Sequence, residues 1–158
     1  MVHGTRLAVA VVLAVLTGCG PSTAKKTLCA SQLKQMWVLQ QAANKTVKPE
    51  KTDKTGKTAG ISTSTGKKFW LDLQSTPGAQ EDLDSFVCPL SGKTPGKGVV
   101  TYRGPAKPLA SLKESDCVGS CTGIHSDGSV TVLYKNGSVL VLEKGDPAIA
   151  AALKTTSN

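Results

Sequence analysis

Apolar positions recur at helical spacing over residues 27–44 (TLCASQLKQMWVLQQAAN). Cys29, Leu33, Met36 or Trp37, and Gln40 fall three or four apart, which stripes one helical face and leaves polar flanks. The stretch contains neither Gly nor Pro and is rich in good helix formers. Such a stripe must bury against a surface, so this helix is expected to pack on a sheet. Residues 67–74 (KKFWLDLQ) place Phe69, Trp70 and Leu73 on one face and predict a second, short helix.

The β signal is concentrated near the C-terminus. Two β-rich runs, 129–135 (SVTVLYK) and 138–143 (SVLVLE), flank Asn136-Gly137, the preferred pair for a two-residue type I′ hairpin turn. That turn would set Tyr134 opposite Val139, Leu133 opposite Leu140 and Val132 opposite Val141. One face would then carry Val130, Val132, Tyr134, Val139 and Val141, and the other Leu133, Leu140 and Leu142, so both need cover. Residues 98–103 (GVVTYR) form a further strand candidate, bounded by glycine on each side. Asp146 and Pro147 suit the cap and first position of a closing Ala-rich helix. The pattern predicts an α+β fold, an N-terminal helix packed on a small antiparallel sheet.

Two stretches stand outside that pattern. Residues 45–66 are rich in Lys, Thr, Gly and Ser, lack a core signal, and read as a long loop. Leu7 to Leu16 is an unbroken apolar run behind Arg6. It falls short of the ~20 residues a spanning helix needs and fits the h-region of a secretory signal. Directly behind it, Leu16-Thr17-Gly18-Cys19 resembles the bacterial lipobox at all four positions. That resemblance implies a signal peptide over 1–18, lipidation of Cys19, a tether over 19–26 and one head domain over 27–158. It also implies attachment to the cell envelope through lipid. Gly20 after the cysteine points to the outer membrane in a Gram-negative host.

The chain carries a formal charge of +8. Lys45, Lys48, Lys51, Lys54, Lys57, Lys67 and Lys68 cluster in or beside the polar loop, without the aromatic pattern or recognition helix of a nucleic-acid module. Arg103 is the only arginine after the signal. Nucleic acid is therefore not the expected partner. A solvated loop is the plain reading, and attraction to anionic cell-wall polymer or membrane is the alternative.

Behind Cys19 lie Cys29, Cys88, Cys117 and Cys121. An even count in an oxidising compartment predicts disulfides. Three connectivities are open. Cys29–Cys88 with Cys117–Cys121 is favoured, the second closing the short Val118-Gly119-Ser120 loop. The rival is a four-cysteine zinc site, which usually needs two paired knuckles, and only Cys117-x3-Cys121 is paired.

Residues 29–36 (CASQLKQM) resemble the C-x-x-N-L-K-Q segment of prepilin-like proteins related to type II secretion pseudopilins. Residues 86–89 (FVCP) and 102–105 (YRGP) resemble their middle segments. Residues 125–137 resemble their closing motif, in which His125 precedes a hairpin, with Asn136-Gly137 in place of Asp-Gly. The resemblance implies a pilin-like head and an envelope protein partner, with an accessory place in a secretion or pilus-like system. The prepilin cleavage site and long apolar N-terminal helix of that family are missing, and lipid on Cys19 would take over membrane attachment.

No catalytic constellation emerges. His125, the only histidine after the signal, has Asp127, Asp116, Cys121 and Ser126 as its nearest useful neighbours. Its expected role is to pin the loop before the hairpin, and a metal ligand or general base is the functional alternative. No cofactor is expected. Besides the rival zinc site, calcium at Asp116 and Asp127 is a candidate, as in some pseudopilin heads, although the spacing is not that of an EF-hand. Glu81, Asp82 and Asp84 read as a solvated acidic loop.

Overall fold

The computed structural model describes residues 21–46 and 63–158. The signal segment, Cys19 and most of the 45–66 loop lie outside the described residues. Helix α1 spans Pro21–Thr46, starting six residues earlier than the stripe predicts, with proline at its first position. Helix α2 spans Gly66–Gln74. The strands are β1 (Tyr102–Pro105), β2 (Cys117–Cys121), β3 (Val130–Tyr134), β4 (Val139–Leu142) and β5 (Thr156–Ser157), and helix α3 (Ala148–Thr155) precedes the last. They form one sheet in the order β4-β3-β2-β1-β5, antiparallel at every pairing. The expected α+β architecture is present. No helix among the described residues is long and apolar enough to cross a membrane.

The sheet separates two cores. On one face α1 contributes Cys29, Leu33, Met36 and Trp37, and α2 contributes Phe69, Trp70 and Leu73. These pack with Tyr102, Val118, Cys121 and Leu133 from the strands. Trimming fully buried Leu33 to Ala would cost about 2–5 kcal/mol. Trp70 donates its indole N–H to the Arg103 carbonyl (2.9 Å), tying α2 to β1. The opposite face buries Cys117, Val130, Val132 and Leu142 against Ala152 of α3. The Asp146 carboxylate accepts the Ala148 N–H (2.8 Å), the capping role its sequence suggests.

Two departures from the sequence reading matter. The β3–β4 hairpin closes between Tyr134 and Ser138 on a three-residue turn, Lys135-Asn136-Gly137, with Gly137 at φ +82°. Tyr134 N–H donates to Ser138 O (2.9 Å), and Gly137 N–H donates to Tyr134 O (2.8 Å). Lys135 and Asn136 N–H groups turn outward to Asp116 O (2.9 Å) and Glu114 O (3.1 Å), while Asn136 Oδ1 accepts from Ser138. These bonds favour the longer turn with a glycine bulge. Register moves by one residue, pairing Leu133 with Val139 and Val132 with Leu140. Val139 therefore joins the α1 side and Leu142 the α3 side, the reverse of the expected faces.

The second departure is β2 itself, which occupies the stretch expected to be a tight disulfide loop. Cys117 pairs with Tyr134 and Gly119 with Leu133, so β2 carries a bulge at Val118. The extra residue inverts the alternation along the strand. Cys117 faces the α3 core and Cys121 the α1 core. They cannot form the expected bridge, and the fold among the described residues is not disulfide-bonded: all four cysteines are free and buried. The predicted strand over 98–103 is also shorter than expected, because Gln74 engages the backbone of Gly98 (2.7 Å) and Val99 (3.3 Å) and Thr101 N–H donates to Phe86 O (3.0 Å).

Candidate metal centre

Three of the four cysteines meet His125 in the α1-side core. Sγ of Cys29 lies 3.2 Å from Sγ of Cys121 and 3.4 Å from Sγ of Cys88. The Cys88–Cys121 separation is 3.8 Å. Nε2 of His125 stands 3.1 Å from Cys121 Sγ and 3.8 Å from Cys88 Sγ. All four donor atoms fall within 4.8 Å of one another, and all four residues are buried. A disulfide requires sulfurs about 2.05 Å apart, so none of these contacts is a bond, including the expected Cys29–Cys88.

Each donor is held by a separate piece of the chain. Cys29 rides on the buried stripe of α1. Cys88 follows a short 3-10 turn (Leu83–Phe86) and is pinned by its own N–H donating to Thr101 Oγ1 (2.6 Å). Its carbonyl accepts from the Ser91 hydroxyl (2.6 Å). Cys121 ends β2. His125 sits in the β2–β3 connection, where its N–H donates to Ser129 O and Gly128 N–H returns to its own carbonyl, both 2.8 Å.

The imidazole is oriented through a relay. The Ser129 hydroxyl donates to Asp127 Oδ1 (2.7 Å), so its oxygen is free to accept from Nδ1–H of His125 at 3.2 Å. That places the proton on Nδ1 and turns the Nε2 lone pair toward the sulfurs. Asp127 is fixed in turn by an ion pair with Lys26, which also lies 3.6 Å from Glu143. The Lys26 contact, then the bonds from Ser129, hold the Asp127 carboxyl well below its ordinary range.

The thiols polarise one another. Contact with Cys121 and then with Cys29 lowers the Cys88 thiol, opposed by burial. Cys121 is raised because its thiol donates toward Cys29 and Cys88, and burial adds to the shift. At Cys29 the Cys121 contact pulls down while the Cys88 contact and burial push up, and the net is upward. Burial keeps the Tyr102 phenol protonated, 3.6 Å from Cys29 Sγ and 3.0 Å from Gln32 Oε1. Thr131 Oγ1 is buried without a nitrogen or oxygen partner and favours the ionised form of Cys29. A cavity of about 300 Å³ reaches Cys88, Cys121 and His125 from the side of Lys93 and Ile124.

The expectation of no cofactor, with calcium as a candidate ion, is overturned by a Cys3His cluster that could hold a metal. Three sulfurs and an imidazole are soft and borderline donors, unsuited to a hard cation that takes oxygen. Asp116 and Asp127 do not meet. Asp116 accepts from Lys113 N–H (2.8 Å) where β2 begins beside the hairpin turn, whereas Asp127 precedes the far end of β3. His125 does pin its loop, but its ring also faces the thiols. Cys117 lies outside the cluster, its thiol pushed up to about 11 by burial. Asn136 and Gly137 shape the distal hairpin turn, where Lys34 Nζ donates to Gly137 O (2.6 Å). Asp82, from the acidic loop, accepts from Gln35 and from Ser85 (2.7 Å).

No protein-family model, curated protein or solved structure matches the chain.

Proposed function

We propose that this chain is a lipid-anchored protein of the cell envelope with a non-enzymatic structural or protein-interaction role, presented to an envelope partner and accessory to a secretion or pilus-like system. The observation that carries the reading is Leu16-Thr17-Gly18-Cys19 directly behind a short apolar run. Helix α1 begins two residues after Cys19 and runs into the core, so a lipid there would hold the head close to the bilayer. Several acyl chains, at ~0.8 kcal/mol per buried CH2, suffice for such an anchor.

The contact of Cys121 with His125 invites a catalytic thiol–imidazole reading. A nucleophilic cysteine needs a lowered thiol and access to substrate. Cys121 is raised, 2% exposed and faced by two more sulfurs, which argues against Cys121 as a nucleophile.

The test is cross-linking in intact cells, comparing the natural chain with Cys19→Ser. The reading expects acylation and membrane fractionation that Cys19→Ser abolishes, with secretion or pilus components among the adducts of the natural chain. Salt-sensitive adsorption to anionic polymer, lost when the lysines of 45–68 are neutralised, would favour the polymer-binding alternative instead.

A further inference from the structure

We infer that Cys29, Cys88, Cys121 and His125 bind a zinc ion as a closed structural centre that fastens α1 to the sheet. The inference does not depend on lipidation at Cys19.

The donor set is complete. Structural zinc sites are tetrahedral and use Cys and His, with Cys3His among the common combinations. With Zn–S near 2.3 Å, a regular tetrahedron has sulfur–sulfur edges of about 3.8 Å. The three observed edges of 3.2, 3.4 and 3.8 Å reach that size with movements of a few tenths of an ångström. Forming a disulfide would require closing more than 1 Å and would strand the third thiol beside His125.

The surroundings fit a metal better than a thiol cluster. Ser129 and Asp127 fix the tautomer that leaves Nε2 as a lone-pair donor, the arrangement typical of metal-bound histidine. Zinc would take that lone pair and draw the protons off the three neighbouring thiols. The cavity at Cys88, Cys121 and His125 supplies the ion's path to the site.

Four protein ligands leave no open position for water or substrate, so the centre is structural. Cys29 is the ligand from α1, 92 residues from Cys121 and 59 from Cys88. Tying such distant positions removes much of the unfolded chain's freedom. It also joins α1, which begins near Cys19, to the sheet. Loss of zinc should therefore loosen α1 first.

The test is metal titration of the full-length, detergent-solubilised protein after reduction and chelation, using zinc and then cobalt(II) as a spectroscopic probe. The expected result is saturation at one metal ion per chain, proton release, and a thiolate-to-cobalt absorption band that zinc displaces. Amide exchange in α1 should slow on zinc binding. His125→Ala should weaken zinc binding by at least about 10-fold, the lower end of what even an outer-shell change costs. His125→Cys, which supplies a fourth thiolate, should retain the metal and guards against a variant that merely fails to fold. Absence of the sulfur–cobalt band in the reduced natural protein, or a His125→Ala variant that binds zinc as tightly as it does, would overturn the inference.

Discussion

Cys117 and Cys121 lie in one five-residue strand yet face opposite cores, because the bulge at Val118 inverts the alternation between them. The bulge thereby sorts the cysteines: three gather with His125, and the fourth packs beneath α3. Cys117→Ser is accordingly expected to leave zinc stoichiometry unchanged, since serine can keep the bond to Gly119 O that the thiol makes at 3.1 Å. Cys121→Ser should abolish stoichiometric zinc. Metal analysis of the two variants, purified side by side, checks the contrast, and equal loss in both would refute it.

Ser129 is a positioning residue, acting on the metal through His125. Ser129→Ala removes the acceptor that keeps the proton on Nδ1. Zinc affinity should fall about 10- to 100-fold while every ligand remains. Chelator competition measures the affinity, and the ring-nitrogen chemical shifts of the imidazole in isotope-labelled NMR report the tautomer. Ser129→Thr, which keeps the hydroxyl, should restore both. A variant whose affinity drops with its tautomer unchanged would count against the relay.

At the other end of β3, Gly137 has φ +82°, and a Cβ there would come 2.9 Å from Trp37 Nε1. Gly137→Ala should cost roughly 1–2 kcal/mol for the left-handed backbone, plus the displacement of Trp37. The loss would register as a lower Tm at unchanged zinc stoichiometry, because the turn is remote from the ligands. Loss of metal in this variant would contradict the separation of the two ends.

The Lys26–Asp127 pair predicts a defined pH window. Asp127 is lowered from 3.8, so its contribution is complete above that value and disappears as pH falls through the lower folded value. Lys26 is raised from 10.5, so its contribution is complete below that value and disappears as pH rises beyond it. Asp127→Asn removes the charge while leaving an oxygen for Ser129. The Tm advantage of the natural chain over this variant should hold between those limits and shrink outside them. An advantage independent of pH would mean the ion pair contributes nothing.

Much of the fold was legible because α1 and α2 carry helical stripes and β3 and β4 carry β-rich runs, signals that local chemistry writes directly. Hairpin register was not, since it turns on Lys135 and Asn136 donating to Asp116 and Glu114, contacts that sequence adjacency hides. The cysteine pairing misled for the same reason. Cys117-x3-Cys121 looked like a closed loop, and the bulge that separates the two depends on pairing with β3. One usable signal for the metal centre was present in Cys121-x3-His125, a short knuckle of mixed donors. Its completion by Cys29 and Cys88 requires α1 to pack on β3 and β4 and the segment after Phe86 to be pinned by Thr101, which only the tertiary structure brings about. An all-cysteine zinc site would omit His125, the fourth donor.

The most direct measurement is zinc content together with free-thiol count on protein isolated from its native cells without reductant. The account predicts one zinc per chain and free thiols at Cys29, Cys88, Cys117 and Cys121, accessible to alkylation after denaturation in chelator. A zinc-free protein in which two of Cys29, Cys88 and Cys121 are joined by a disulfide would contradict it.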